Sequence, residues 1–379
     1  MHQKIESIKT YVEGHWLFVA VTTDTGITGF GESTYFVSPL AAQQIVRELT
    51  PSLIGEDPMR AEYLFQRALK HHCIRDMASM GALSAIDQAL WDIKGKALGV
   101  PVWELLGGRV RDRVRAILLI EASTEETIIQ GALQAAAEGF TAIKIKPFVG
   151  GWAQFTRARL LRRTVDTVRA VRNAIGWDVD LAVEIHRNLL PDDAIEFSAL
   201  LRDQSLYFLE DPILPFGVDA NRWVAERMHG PVALAERNTS IWEFREYSDS
   251  QGVAILRPDI GAVGGFSQMR KITAIAESRH QRIVPHNFTS PVVTACHIQM
   301  AACTVNWDVQ GYVREARSPW KDVVRHVNTL EAGYLRIPET PGIGMTLDLD
   351  FLATATHRPF GNAFAHGAPH GADGALKHQ

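Results

Sequence analysis

The chain has 379 residues, 46% hydrophobic and 22% charged, the makeup of an ordinary globular protein. A formal net charge of −4 gives no electrostatic reason to expect nucleic acid or an anionic membrane surface as a partner. The opening MHQKIESIKT lacks the apolar stretch of a secretion signal, and no apolar run is long enough to cross a bilayer, so the expectation is a cytoplasmic protein.

In chain order, KIESIKTYVEG and WLFVAVTTDTGITGFGEST read as strand patterns, with turn chemistry at Asp24, Thr25 and Gly26. Helical periodicity follows in AAQQIVRELTPSLIG and MGALSAIDQALWDIKGKALG, which makes residues 1–112 an α+β unit. From residue 113 strands and helices alternate. Strands are predicted at VRAILLIEA, TAIKIKPF, DLAVEIH, LYFLEDPI, PVALAERN, VAILRPDI, RIVPHNF and WDVQGYV, with amphipathic stretches between them. Eight short apolar strands in that rhythm indicate a (β/α)₈-type barrel over 113–325, with chemistry at the C-terminal strand ends. The alternative, an open doubly wound sheet, lacks the GxGxxG that would follow its first strand. Residues 326–356 read as a return to the first unit, with a turn at PGIG. The stretch 357–379, rich in Ala, Gly and His, reads as a mobile tail. Cys73, Cys296 and Cys303 form no CxxC spacing, which argues against a disulfide framework or a zinc cluster.

Glu184, Glu210 and Glu236 end three successive strand patterns, 26 residues apart each time. That is one strand, one helix and their loops, so parallel neighbours would bring the three carboxylates to one face. Oxygen ligands of this kind suit a hard divalent cation such as Mg²⁺. A lone strand-end glutamate is more often a loop or cap residue; the regular spacing is what favours metal. Lys144 and Lys146 lie two apart on the second strand and so share a face. Adjacent ammonium groups disfavour each other's charge, which would make one a usable base; two solvated surface lysines are the bland alternative. His186 follows Glu184 by two and could be ligand, proton donor or packed core histidine. Asp259 and His286 end the sixth and seventh strands, where a carboxylate would orient an imidazole for proton transfer. A nucleophilic Ser-His-Asp reading fails for want of GxSxG. Together these groups suit removal of a proton next to a carboxylate.

The pieces ITGFGES, SAIDQALWDIKGKALGVPVWELLGG, KIK, EIH, EDP, AER, RPDIGAVGG, VPHN and PGIGMTLD, in this order, resemble the mandelate racemase-like branch of the enolase superfamily over residues 1 to about 352. The resemblance implies an N-terminal capping domain, completed by the C-terminal segment, over a (β/α)₇β barrel. It also implies one Mg²⁺ per subunit on Glu184, Glu210 and Glu236, and a homo-oligomer, dimer or octamer. Lys144 would hold the substrate carboxylate, Lys146 would serve one face, and the Asp259–His286 pair the other. Loops at Phe30–Phe36 and His71–Met77 would close on the substrate. The histidine at 186 is similar to that of the galactonate and mannonate dehydratases, where it would protonate the departing 3-hydroxyl after His286 removes the α-proton. This chain departs from those enzymes in three ways: glutamate rather than aspartate at 184, the second lysine at 146, and Gly311 after Gln310 where a glutamate is usual. Glu315 is the candidate to replace that missing carboxylate as a substrate contact. The implied function is dehydration of an aldonate or aldarate to a 2-keto-3-deoxy acid. The alternatives are a racemase, epimerase or cycloisomerase acting on a carboxylate, favoured by Lys146, and a barrel that has lost activity, prompted by Gly311.

Overall fold

The computed structural model describes residues 3–34, 38–72, 76–357 and 370–375, the side chains of His71 and His72 excepted. Three antiparallel strands come first: β1 (Ile5–Glu13), β2 (Trp16–Thr23) and β3 (Thr28–Ser33), in the order β1-β2-β3. The turn residues Asp24, Thr25 and Gly26 lie between β2 and β3, and Gly26 takes φ 82°. Helices α1 (Pro39–Leu53), α2 (Ala61–His72), α3 (Met77–Leu98) and a short α4 (Val102–Leu105) follow. Asp76 caps α3 by accepting from the Ser79 amide at 2.9 Å, and Gly99 ends it in the left-handed conformation at φ 71°.

Helix α3 is buried over most of its length because it lies directly on β3. Gly29 and Gly31, two apart on one strand face, allow that approach: a Cβ on either would overlap the carbonyl oxygen of Ala89 or Ala85. The helix also satisfies the free edge of β3. Asp92 accepts from the Phe30 amide at 2.9 Å, while Gln88 accepts from the Glu32 amide at 3.0 Å and donates to the Glu32 carbonyl at 2.9 Å. The open strand edge is thereby paired with side chains instead of left as a template for aggregation.

Eight parallel strands then alternate with seven helices: β4 (Arg113–Ile120), α5 (Glu125–Ala137), β5 (Ala142–Ile145), α6 (Arg157–Ile175), β6 (Asp180–Glu184), α7 (Pro191–Leu200), β7 (Leu209–Glu210), α8 (Val218–Ala225), β8 (Val232–Leu234), α9 (Ile241–Ser248), β9 (Val253–Leu256), α10 (Gly265–Glu277), β10 (Arg282–Ile283), α11 (Pro291–Cys303) and β11 (Gln310–Tyr312). Strands β4 to β10 pair in sequence; β11 pairs with β4, and Trp307 bridges Ile283, which closes the ring. The last strand carries no helix, so the barrel is (β/α)₇β. Several strands are shorter than their sequence patterns, β7 and β10 being two residues each.

The barrel interior is a plug of one residue from each strand or its flank: Ile117, Ala142, Ala182, Phe208, Ala233, Ile255, Val284 and Val309. Alanines on the strands flanking the large Phe208, Ala182 and Ala233, leave it room in the narrow interior. After β11 a hairpin, β12 (Leu330–Glu331) and β13 (Tyr334–Arg336), adds antiparallel to the start of β4. Beyond it Gly342 bonds to Val100 and Val102, the Ile343 amide donates to Asp92 at 2.9 Å, and a last helix, α12 (Leu349–Leu352), lies near β1. Cys296 is buried and Cys303 partly so, both as free thiols; Cys73 and most of the stretch after His357 lie outside the described residues. No described helix is long and apolar enough to cross a membrane.

The tight β3–α3 contact makes a direct prediction. Gly31→Ala places a methyl on the Ala85 carbonyl, and neither backbone can yield without losing the Gln88 bonds. Urea unfolding should show a loss of about 3 kcal/mol, the upper range for overpacking; a change within ordinary scatter would mean that β3 and α3 are not this close.

Candidate active site

Side chains two residues beyond the apolar plug point the same way by strand periodicity. That step moves from Ala142 to Lys144, from Ala182 to Glu184, from Phe208 to Glu210, from Ile255 to Arg257 and from Val284 to His286. The layer above the plug is therefore charged, and all five of those residues are buried. Strand β8 breaks the pattern. Ala235 would be its inward residue, but it takes φ 86°, and this turn brings Glu236 to the cavity instead. A further step outward reaches Lys146 and His186, and Glu121 beyond β4. A cavity opens here, lined by Lys144, Lys146, Glu184, His186, Glu236 and His286 together with Glu121 and Arg257.

Lys144 lies between two carboxylates, its Nζ 2.8 Å from Glu184 Oε2 and 2.6 Å from Glu210 Oε2. Burial disfavours its charge, but those two glutamates outweigh it and raise the Lys144 pKa. The expectation that the neighbouring lysines lower each other is thus overturned for Lys144, because each lysine has carboxylate partners of its own. Glu184 is in turn held well below the usual carboxylate range; burial pushes it up, and the Lys144 ammonium, the bond to Glu210 and the charges of His186 and Lys146 together more than offset that. Glu210, fully buried, also lies 2.7 Å from Arg257 Nε, and Arg257 donates to the Val284 carbonyl at 3.1 Å.

Glu236 lies 2.6 Å from Arg187 Nη1, which is also 3.0 Å from Asp211. Burial opposes the ionisation of Glu236, yet His286 and Arg187 pull its pKa down. Burial and the neighbouring Glu236 push Asp211 up to about 8. The three glutamates do reach one end of the barrel. They do not close on a common point: Glu184 and Glu210 converge on Lys144, while Glu236 is drawn aside by Arg187. Among the described residues no group of three His, Cys, Asp or Glu side chains is arranged to hold a metal ion.

The Asp259–His286 dyad is present, with Nδ1 of His286 3.1 Å from Asp259 Oδ2. The same carboxylate accepts from Thr34 Oγ1 at 2.9 Å and from the Gly261 amide at 2.7 Å. Burial pushes the Asp259 pKa up, but the bond from His286, the charges of His286 and His297 and the Gly261 amide together lower it. An ionised Asp259 can only accept, so Nδ1 carries the proton and Nε2 keeps its lone pair. Lys146 is 2.9 Å from Glu121, one layer further out and partly exposed. His186, with φ 54°, accepts from Arg187 Nη2 at 2.7 Å; burial, Arg187 and Lys146 lower its pKa to about 4.

Glu315 is not brought to this cavity. Strand β11 ends at Tyr312, and the Glu315 carboxylate is buried against Asn328, accepting from its amide at 3.2 Å and its side chain at 3.0 Å. The loops expected to close on the substrate lie partly outside the described residues, at 35–37 and 73–75, together with the side chains of His71 and His72. Sequence reading passed over Arg187, Arg257, Asp211, Glu121 and Thr34. A signal existed for the first two: three carboxylates buried together require cations, and those arginines stand inside the HRN and RPD segments.

Two family models cover most of the chain: the mandelate racemase/muconate lactonizing enzyme N-terminal domain matches residues 3–107, and the enolase C-terminal domain-like model matches 128–351. The chain belongs to the mandelate racemase/muconate lactonizing enzyme branch of the enolase superfamily. A D-galactonate dehydratase of Ralstonia pickettii (strain 12J) is 33% identical over 353 residues, 91% of this chain and 92% of that protein. A D-xylonate dehydratase of Haloferax volcanii is 32% identical over 361 residues, 90% of this chain and 86% of its own. Among solved structures, an enolase from Agrobacterium radiobacter, a candidate galactarate dehydratase with sodium and L-malate bound, superposes with a TM-score of 0.91 at 26% identity, covering 99% and 100% of the two chains. A superfamily member from Salmonella Typhimurium gives 0.88 at 28% identity, covering 94% and 99%.

Within this enolase-superfamily site, Arg257 is the cation most deeply committed to a single carboxylate. Arg257→Met would leave Glu210 buried with Lys144 as its remaining cation. The expected loss is about 3 kcal/mol in urea unfolding, typical of removing one partner from a buried pair; a loss within scatter would show that the pair contributes nothing.

Proposed function

We propose that the protein dehydrates an acid sugar, an aldonate or aldarate, to a 2-keto-3-deoxy acid, by removing the proton next to the carboxylate. The observation that carries this reading is the unequal provision of the two cavity sides. His286 is a complete base, held in one tautomer by an aspartate with three donors of its own. Lys146 is paired with a carboxylate, as an ammonium would be. Elimination needs one base and one acid. Proton return on the opposite face also uses one base and one acid at a time, so this pairing suits elimination without deciding against the racemase and epimerase readings. The dehydratase names of the relatives support elimination.

Glu184, Glu210 and Glu236 are the residues that would hold Mg²⁺. The donor chemistry fits: Glu184 Oε2 and Glu210 Oε2 already converge on one cation, the Lys144 ammonium, which stands in for a metal between them. Glu236 would have to leave Arg187 to join them. When bound, the ion supplies positive charge that stabilises the enediolate dianion left by proton removal. The chain's own residues do the remainder. Nε2 of His286 takes the α-proton while Asp259 stabilises the resulting imidazolium. For the departing hydroxyl the cavity offers Lys146 and His186. His186 was the expected acid, yet burial holds it neutral and its Nε2 accepts from Arg187, so the Lys146 ammonium is the donor this geometry supports better.

The test is a screen of stereoisomeric aldonates and aldarates with Mg²⁺, scoring semicarbazide-reactive keto acid. At least one should be turned over, and His286→Gln should lower kcat by about 10² to 10⁴, the usual contribution of a positioned base. Exchange of the α-proton in D₂O without keto acid from any member of the panel would overturn dehydration in favour of racemisation.

A further inference from the structure

Arg187 stands apart from the other cations of the site. Its amide donates to the Asp211 carbonyl at 2.7 Å, and its guanidinium reaches both Asp211 and Glu236, so one residue ties together the chain beyond β6, β7 and β8. It is also held in an uncomfortable backbone. His186 and Arg187 are consecutive non-glycine residues at φ 54° and φ 67°. Such a conformation is disfavoured for residues that carry a side chain and persists only where surroundings over-determine it. Glycine would make the same turn without that cost. What the arginine adds is a buried positive charge, its side chain only 6% exposed, against Glu236.

We infer that Arg187 is an internal counter-ion for Glu236, competing with a divalent cation for that carboxylate. A guanidinium hydrogen-bonded to Glu236 and a dication on the same oxygens repel each other, so metal entry requires Arg187 to withdraw toward Asp211. Asp211 is its second anchor and remains available when Glu236 leaves. The buried set holds four carboxylates, Glu184, Glu210, Asp211 and Glu236, against three cations, Lys144, Arg187 and Arg257. Near-neutrality without a metal is what lets this layer stay buried, and the same near-neutrality weakens its hold on a dication. The inference rests on the reading that Glu236 belongs to the metal site.

Mn²⁺ is the probe, followed by calorimetry and by the paramagnetic signal of the free ion, with no substrate present. Arg187→Gly should bind Mn²⁺ about tenfold more tightly than wild type or better, the scale of a close buried charge coupling. Arg187→Lys, which keeps the charge, should stay nearer wild type. Equal or weaker binding by Arg187→Gly overturns the inference and leaves the metal reading intact; no Mn²⁺ bound by either protein overturns both. Should the glycine variant not fold, wild-type crystals with Mn²⁺ decide the matter. The guanidinium should lie beyond salt-bridge reach of Glu236, and a retained contact in the loaded site would overturn the proposal.

Discussion

The constraint on which this structure turns is the burial of charge directly above an apolar plug. Taking a carboxylate or an ammonium out of water costs several kcal/mol per ion unless partners replace the solvent. The eight-residue plug gives the charged layer nothing polar from below, so the layer must satisfy itself sideways. It does so by alternation around the ring: Lys144 between Glu184 and Glu210, Arg257 on the far side of Glu210, and Arg187 between Asp211 and Glu236. Each ion's place is thereby set by its neighbours, which is the rigidity a reacting site needs. Removing any one member leaves a neighbouring buried charge with fewer partners.

The first unit matters to this layer through a short line of polar contacts. Strand β3 is pinned to α3 by Gln88 and Asp92, and its last residues run on into the barrel loops. There Glu32 accepts from Ser290 and Val293 at the start of α11, the Thr34 amide donates to the Gly261 carbonyl, and the Thr34 hydroxyl donates to Asp259. The carboxylate that orients His286 is thus held from both parts of the molecule. Loosening β3 on α3 would reach His286 without touching the cavity, since His286 has its tautomer from Asp259 and Asp259 has one of its donors from Thr34.

Much of the architecture was legible in the chain because period-2 strands and 3.6-period helices repeat clearly from residue 113 onward. The strand ends were legible for the same reason: Lys144, Glu184, Glu210 and His286 follow from counting two residues beyond a plug position. What counting could not give is the chemistry of neighbours. Glu236 faces the cavity only because Ala235 adopts a left-handed turn, which no alternation rule anticipates; its regular spacing from Glu210 was the better guide. Glu315 satisfied the alternation but lies three residues past the end of β11, where the chain has left the barrel and its carboxylate bonds to Asn328. The lysines illustrate the same limit. Their mutual repulsion was readable from KIK, whereas the glutamates that cancel it come from other strands. Partners 40 and 66 residues away, for Lys144, are matters of register and not of local pattern.

The charged layer is also incomplete in an informative way. Around the ring the charges occupy β5 to β10, while the positions above the plug on β4 and β11 are Leu119 and Gly311. Gly311 lacks a side chain where a Cβ would come within 3.2 Å of the Pro285 carbonyl oxygen and 3.4 Å of the Asn287 Cβ, so even a small side chain is tight there. The Gly311 carbonyl is in addition fixed by Asn287 Nδ2 at 2.8 Å. The result is a cavity with two unlike walls: ions on one side, and Ile117, Leu119, Phe288, Gly311 and Tyr312 on the other. On the proposed function, a carboxylate substrate would place its anionic end toward the ionic side. The far end of the molecule then meets the wall without charge. On that reading, discrimination among acid sugars would fall to that wall, where fit and hydrogen bonding, not net charge, separate one hydroxyl configuration from another.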